Sequence, residues 1–501
     1  MKTVEPQDHN AGASHCPFGR GSAAEASKNR LSAVSIDAPF PGESPPGEFG
    51  NEIPGPRTLF ARLVAMLEMK LSMAKFFQKC RGKWGGLSVV RCLTSELYFA
   101  SDPDYVREVM VTKGAFFGRP MPIVSMLKRV AGSGLLASEG EEWTKQRQLV
   151  QSSLQLDQLA KYARVAATCT SDMIRSWQSR QTVNLSSDIL KLAHTIDCKV
   201  VCGHAPDDLS PTLCDDVEIL VSMFENHRQR GEDAQARLRA VFVKQIQEKR
   251  AAGCTGEDFL SKILSSVDSS GCGITDAQAQ DECLSMLAAA FDTVSSTLIW
   301  SLFHIAGRPD VQQRIREEVF KVAEGRSPVL EDLPNLTYTS MVANEIMRLY
   351  PAAWLLSREC LADVEIGRYT IKKGGIVMVS PFVLHRDPNN FSDPNEFIPE
   401  RFSDEYEGRA RAQAFIPFGL GQRSCVGSRL AKIELSLAIA LILQNFELGP
   451  VSSVPKIEYG SVLRPKGPVV VKITPTPRLT ERATKPGHPC TRDLDLPCSM
   501  S

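Results

Sequence analysis

One loop concentrates the residue types that could hold a metal-bearing cofactor: Phe418-Gly419-Leu420-Gly421-Gln422-Arg423-Ser424-Cys425-Val426-Gly427. Gly419 and Gly421 permit left-handed turns, so the chain can fold tightly back on itself. Cys425 follows that turn and precedes an apolar, strongly helical run, residues 430–443. Its thiol therefore stands at or just before a helix N-terminus, where orphan amide N–H groups favour thiolate over thiol. Gly427 leaves room for a flat ligand, and Arg423 could meet an anionic group on it. A thiolate, amide donors, a flat face and a cation for carboxylates are what cysteine ligation of a haem iron needs. An isolated cysteine after a glycine-rich turn would more often be a buried structural thiol. Phosphate binding is the poorer reading, because neither GxxxxGK[ST] nor GxGxxG after a strand occurs.

Other segments add to this. In Glu345-Ile346-Met347-Arg348 the acid and base share one helical face. The surrounding Met341, Val342 and Leu349 imply a buried helix, and a buried pair needs a further partner. Arg401, in Pro399-Glu400-Arg401-Phe402, offers one. In Ala289-Ala290-Phe291-Asp292-Thr293 the first and last residues lie one turn apart. Small side chains there would admit a flat cofactor and dioxygen, the Thr293 hydroxyl could hold water, and Asp292 could relay protons. The plain alternative is that these hydroxyls bond back to the preceding turn. Trp143 and Arg147 share a face, so an indole N–H and a guanidinium could grip one carboxylate; the alternative is an ordinary amphipathic helix. His385 could tempt as an axial ligand.

In order and spacing these segments resemble the cytochrome P450 superfamily, over about residues 53–475. The cysteine loop resembles its haem signature, Phe-x-x-Gly-x-Arg-x-Cys-x-Gly. The resemblance implies haem b (iron protoporphyrin IX) with Cys425 as axial thiolate, bounded by Phe418 and Ala289. It assigns Trp143, Arg147, Arg358 and Arg423 to the haem propionates, and Glu345, Arg348 and Arg401 to a structural lock. Asp292 and Thr293 resemble the family's acid–alcohol pair for oxygen activation. Ala290 stands where the family often has Gly, and Val294 replaces a common Thr or Ser. His385 falls in a structural segment.

The implied activity is monooxygenation: one atom of O2 enters a hydrophobic small organic substrate and the other leaves as water. The chain has no flavin or nicotinamide fingerprint and no ferredoxin cysteine set. A separate electron donor, a ferredoxin or a flavoprotein reductase, is therefore implied; Lys145, Arg429 and Lys432 could form its docking face, the alternative being ordinary solvated surface charge. Two alternatives stay open: a haem-thiolate isomerase or dehydratase acting on a peroxide, and a haem gas sensor. Retained Asp292 and Thr293 argue against the first, and the lack of an output domain against the second. By family analogy the substrate pocket draws on residues 116–136, 205–235, 352–357 and 459–463. Met121, Ile123, Met126 and Leu127 predict an apolar lining.

These side chains require a scaffold, and its class is mainly α with small β-sheets, as a single large domain over residues 57–475. Residues 1–56, ending in Ile-Pro-Gly-Pro, read as a flexible N-terminal extension and residues 476–501 as a C-terminal tail. A helix of about thirty residues starts at Thr275, with Gln278 completing a capping-box pattern, and stops at Gly307 and Pro309. Asp102-Pro103 opens another. Leu87–Arg91, Glu96–Ala100, 364–369, 376–381 and 469–473 read as strands.

The 501 residues carry 58 Lys+Arg and 58 Asp+Glu, so no chain-wide basic field recruits nucleic acid. The 14 cysteines contain no CxxC pair, which leaves zinc ribbons and iron–sulfur clusters without support and suggests a reducing compartment. No signal peptide or transmembrane span is apparent. We expect a cytoplasmic protein, soluble or at most peripherally membrane-associated. Residues 59–77 read as an amphipathic helix packed on the core, with a membrane-surface anchor as the alternative.

Overall fold

The longest helix, Asp276–Ala306, organises the rest. Thr275 caps it: the hydroxyl oxygen accepts from the Gln278 N–H at 3.2 Å. Gly307 closes it and Pro309 opens the next helix, Pro309–Ala323. The computed structural model describes residues 52–92, 95–223, 228–267, 273–406, 408, 412–451 and 453–476. The expected extension up to residue 51 and the tail from 477 lie outside the described residues. Among those described, Asp276–Ala306 is the one helix long and apolar enough to cross a membrane, and 61% of its apolar window is buried. Every residue from 295 to 302 is buried. It packs on Leu185–Cys202, Arg228–Ala251, Met121–Ala131, Thr337–Leu349 and Ser428–Asn445. The last of these carries a continuous buried run from Ile433 to Leu443, Glu434 and Ser436 included, which marks it as a core helix.

The fold is mainly helical with small sheets, as the sequence predicts. Five strands form the largest sheet, in the order Leu87–Arg91, Glu96–Ala100, Ile376–Val379, Leu356–Cys360, Phe117–Gly118. Glu96–Ala100 runs parallel to Ile376–Val379 and the other pairs are antiparallel. The first two strands fall where expected. The run 364–369 instead divides into the hairpin Val364–Ile366 and Tyr369–Ile371. The strand expected at 376–381 ends at Val379, and Pro381, lacking an N–H, begins a short helix.

Two expectations at the N-terminal side are corrected. Residues 53–56 do not trail with the extension: they are buried, and the Pro54 carbonyl accepts from Val89 N–H at 2.9 Å. The helix expected over 59–77 is two helices, Leu59–Leu71 and Met73–Trp84, broken at Ser72, whose extended backbone (φ −163°) ends one and caps the other. The second helix places Phe76, Phe77, Cys80 and Trp84 in the core. The first is left with only Ala65 buried, so its apolar face does not pack on the core.

The Glu345 lock forms as the spacing suggests. Glu345 bridges Arg348 at 2.7 Å and Arg401 at 3.2 Å, and none of the three side chains is exposed. Arg348 also donates to the carbonyls of His385, Pro394 and Glu396, and Arg401 to Asp393 O at 2.6 Å. Ile398 N–H donates to Glu345 at 2.8 Å. One carboxylate thus fixes the 392–401 segment to the helix Thr337–Leu349.

Candidate cofactor site

Cys425 lies three residues before the helix Ser428–Asn445, which starts two residues earlier than the apolar run suggests. Its N–H donates to Phe418 O at 2.9 Å, closing the loop on itself. Gly421 makes that closure possible: it adopts φ 74°, and a Cβ there would stand 1.9 Å from the Met110 carbonyl oxygen. The thiol is solvent-accessible yet surrounded by protein. Burial is the largest influence on it and pushes its pKa up, while the Gly427 amide and Arg147 pull it down. The amide donors expected to favour thiolate are therefore present but outweighed. A bound metal ion would reverse that balance, because a coordinating thiol is deprotonated outright.

Around the loop the structure assembles a cationic cluster. Arg147 donates to Ser424 O at 2.9 Å, which latches the helix Gly140–Ser152 to the cysteine loop. Arg423 donates to Ser138 O at 2.9 Å and pairs with Glu139 at 2.7 Å. The Trp143 ring faces both guanidiniums, Arg423 at 4.1 Å and Arg147 at 5.5 Å. Arg358, on the strand Leu356–Cys360, and Arg119 complete the group. Burial, with the neighbouring Arg119 second, lowers Arg358 and Arg423 each to about 10. Glu139 is the one carboxylate acting on Arg119, Arg358 and Arg423. Three guanidiniums therefore share that counter-charge, and Arg147 stands beside them facing Cys425. Arg119 and Glu139 were not singled out from the sequence. Arg119 lies in the loop already assigned to the pocket, but nothing local shows that it turns toward Arg358 and Arg423.

The long helix sets the loop that carries Ser138 and Glu139. Asp281 accepts from Ser133 N–H at 2.7 Å, and Glu282 accepts from Leu135 N–H at 3.0 Å. Gly132 (φ 63°) permits this approach, since a Cβ there would sit 2.1 Å from the Asp281 carboxylate. Glu282 is fully buried, and burial pushes its pKa up to about 8. The folded state therefore binds a proton here that the unfolded chain releases near the ordinary value of 4.5. Stability attributable to Glu282 falls as pH rises between those two values. We expect the Tm difference, Glu282→Gln minus wild type, to grow from about pH 5 to about pH 8. Thermal unfolding across that range checks it, and a constant difference would contradict it.

Ala289 is exposed and Thr293 half-buried on a helix otherwise largely interior. The Thr293 hydroxyl donates to Ala289 O at 3.0 Å, or to Ala290 O at 3.2 Å. The back-bonding alternative raised by the sequence is thus the geometry found, and it leaves the hydroxyl oxygen able to accept. Asp292 pairs with Arg464 at 3.4 Å and faces a cavity of about 410 Å³ that Glu218, Glu458 and Ser295 also line. Arg464 is bonded to Glu458 at 2.7 Å. Ser296, donating to Leu463 O at 2.6 Å, fixes the hairpin of Lys456–Tyr459 and Leu463–Lys466 to the long helix. The contacts thus place the predicted residues in two groups, one around Cys425 and one on the long helix.

His385 is not available to a metal. Its Nδ1 meets Arg348 O at 3.0 Å and its Nε2 accepts from Ile416 N–H at 2.9 Å. Burial and Arg348 hold it neutral, with a pKa of about 3. Of the expected docking cations, Lys145 and Arg429 are exposed. Lys432 is exposed as well, with its ammonium 5.7 Å from the Phe418 ring. Of the expected apolar lining, Leu127 is buried and Met126 half-buried, whereas Met121 and Ile123 are exposed; Val124, not singled out from the sequence, is buried beside Leu127.

The donor set fits an iron porphyrin: an accessible thiol next to a guanidinium cluster short of carboxylates suits a ligand with a metal centre and two acid groups. Comparison with known proteins agrees. The family model described as "Cytochrome P450" matches residues 53–207 and 206–473. "Cyclooctat-9-en-7-ol 5-monooxygenase" of Streptomyces melanosporofaciens is 30% identical over 390 residues, covering 73% of this chain and 83% of the relative. "Pentalenene oxygenase" of Streptomyces avermitilis is 26% identical, covering 76% and 89%. "Cytochrome P450 3A6" of Oryctolagus cuniculus is 28% identical, covering 84% and 91%.

Proposed function

The chain belongs to the cytochrome P450 family and is an oxidoreductase of the oxygen-incorporating class, and from that premise we propose how its own residues serve the reaction. It inserts one atom of O2 into a hydrophobic small organic substrate, using electrons from a separate donor. Haem b would be held by the Cys425 sulfur, with Phe418 and Ala289 lining its site and Trp143, Arg147, Arg358 and Arg423 available to its carboxylates. One observation carries this reading: four guanidiniums and one carboxylate gathered beside an accessible thiol. When bound, haem supplies oxygen activation, to which a thiolate ligand lends electron density for O–O cleavage.

The remaining work belongs to side chains. Arg119, which sequence reading missed, joins the three other guanidiniums as counter-charge. Ala289, small and exposed on the long helix, would leave room for dioxygen. The Thr293 oxygen, its own proton directed to the helix backbone, would be able to accept a hydrogen bond. Asp292, held by Arg464, passes protons from the polar cavity toward Thr293. The Streptomyces relatives are named for oxygenating cyclooctat-9-en-7-ol and pentalenene. By that likeness, and from the inward Val124 and Leu127, we assign this chain a hydrophobic substrate. Exposed Lys145 and Arg429 suit an acidic electron donor.

Thr293→Ala is expected to keep consuming reductant but to release peroxide, with product per electron pair falling by roughly tenfold to a hundredfold. Parallel assays of reductant, peroxide and product check it. Full coupling in that variant would overturn the proton-delivery role.

A further inference from the structure

A second cavity, of about 460 Å³, is formed by the helix Leu156–Trp177, the last turn of Leu185–Cys202 and residues 257–258. It shares no lining residue with the cavity at Asp292 and none with the site around Cys425. Lys161, Arg164 and Thr168 recur at helical spacing, so one face of Leu156–Trp177 offers it two cations and a hydroxyl. Lys199 joins them from the second helix, beside the Cys169 thiol.

The charges here do not cancel. The lining holds three cations and two acids, and each acid is already engaged. Glu257 pairs with Lys161 at 3.0 Å. Asp258 accepts from Lys249 at 2.8 Å, from the Ser261 hydroxyl at 2.8 Å and from Ser261 N–H at 3.0 Å. Arg164 acts on Glu257 only at longer range. Among the described residues neither Arg164 nor Lys199 forms an ion pair. Tyr162 also lines the cavity and is 1% exposed, yet its hydroxyl has no hydrogen bond within the chain. The neighbouring Gln158 gives its amide N–H to Glu257 O instead. Burial pushes the phenol's pKa up, so it remains a donor. A buried donor without a partner costs free energy until something accepts from it.

Two unengaged cations, a buried phenol and an exposed hydroxyl suit an acceptor-rich dianion. The space exceeds what a bare phosphate fills, and Val165 and Cys169 make part of the wall apolar. We propose that this cavity binds the dianionic phosphate of a small organic phosphomonoester, with Arg164 and Lys199 as counter-charges and the Tyr162 hydroxyl as a donor. The site is independent of the haem reading.

The test is calorimetric titration of the haem-loaded protein with phenyl phosphate, at fixed ionic strength and about pH 7.5, where a phosphomonoester is a dianion. Benzoate and methyl phenyl phosphate, both monoanions, serve as comparisons. We expect saturable binding of phenyl phosphate, at least about tenfold tighter than of either monoanion. Arg164→Ala/Lys199→Ala should weaken it by at least about tenfold. Tyr162→Phe removes a hydroxyl that bonds nothing in the chain, so it should leave the circular dichroism unchanged and weaken binding about threefold to tenfold. Three results would overturn the proposal. One is no saturable binding up to about 10 mM phenyl phosphate. Another is equal affinity for benzoate. The third is binding that shifts the haem Soret band and is indifferent to Arg164→Ala/Lys199→Ala, which would put the ligand in the oxygenation pocket.

Discussion

Cys425→Ser should abolish oxygenation, lowering product formation by a factor on the order of a thousand or more, as when an essential member of a catalytic unit is removed. The argument rests on where the sulfur stands. It is accessible, it meets the Gly427 amide, and Arg147 couples it to the guanidinium cluster. A serine hydroxyl keeps the size and the amide contact but supplies neither a soft ligand nor its electron density. The cluster of Arg119, Arg147, Arg358 and Arg423 is untouched, so the variant should still fold and retain some affinity for haem. Substrate-dependent product formation, measured with a surrogate electron donor, reads the effect. Near-wild-type turnover in the serine variant would contradict ligation at this position.

The second large effect is on stability. Glu345→Ala leaves Arg348 and Arg401 with no counter-charge where neither side chain has any exposure, and it orphans the Ile398 N–H. Removing one partner of a buried pair costs about 3–5 kcal/mol. That is a large share of the stability of an ordinary domain. We expect a sharply reduced yield of haem-bearing protein and a lower denaturant midpoint. Glu345→Asp, which keeps the charge, should recover part of both. An alanine variant within about 1 kcal/mol of wild type would contradict the lock.

Much of this was legible in the sequence because it is local. The Gly-rich turn before Cys425 and the capping pattern at Thr275 are written in residues a few positions apart. So are the i, i+3 relation of Glu345 to Arg348 and the proline stop after 307. The five-stranded sheet was only half legible. Leu87–Arg91 and Glu96–Ala100 pair with each other, but Leu356–Cys360 carries Ser357, Arg358 and Glu359 and has no apolar alternation to announce it. The strand forms because its neighbour Ile376–Val379 supplies the ladder.

What escaped was long-range. Arg119 joins the cluster across 304 residues from Arg423, a separation no spacing rule spans (423 − 119 = 304). Asp292 was singled out from the sequence, but its partner Arg464 arrives from a distant hairpin, Lys456–Lys466. The fate of 59–77 turned on competition. Two apolar stretches contend for one core position, and Phe76, Phe77 and Trp84 win it over the leucines of the preceding helix. Hydrophobic pattern alone shows that a face is apolar, not that it is covered.

The central claim is that the sulfur of Cys425 binds haem iron. The direct measurement is the carbon monoxide difference spectrum of the reduced, haem-loaded protein, recorded beside Cys425→Ser. The account predicts the strongly red-shifted Soret band of a thiolate-ligated haem in the wild type and its loss in the variant. A wild-type band at the position given by an imidazole-ligated haem, or a red-shifted band that survives the substitution, would contradict it.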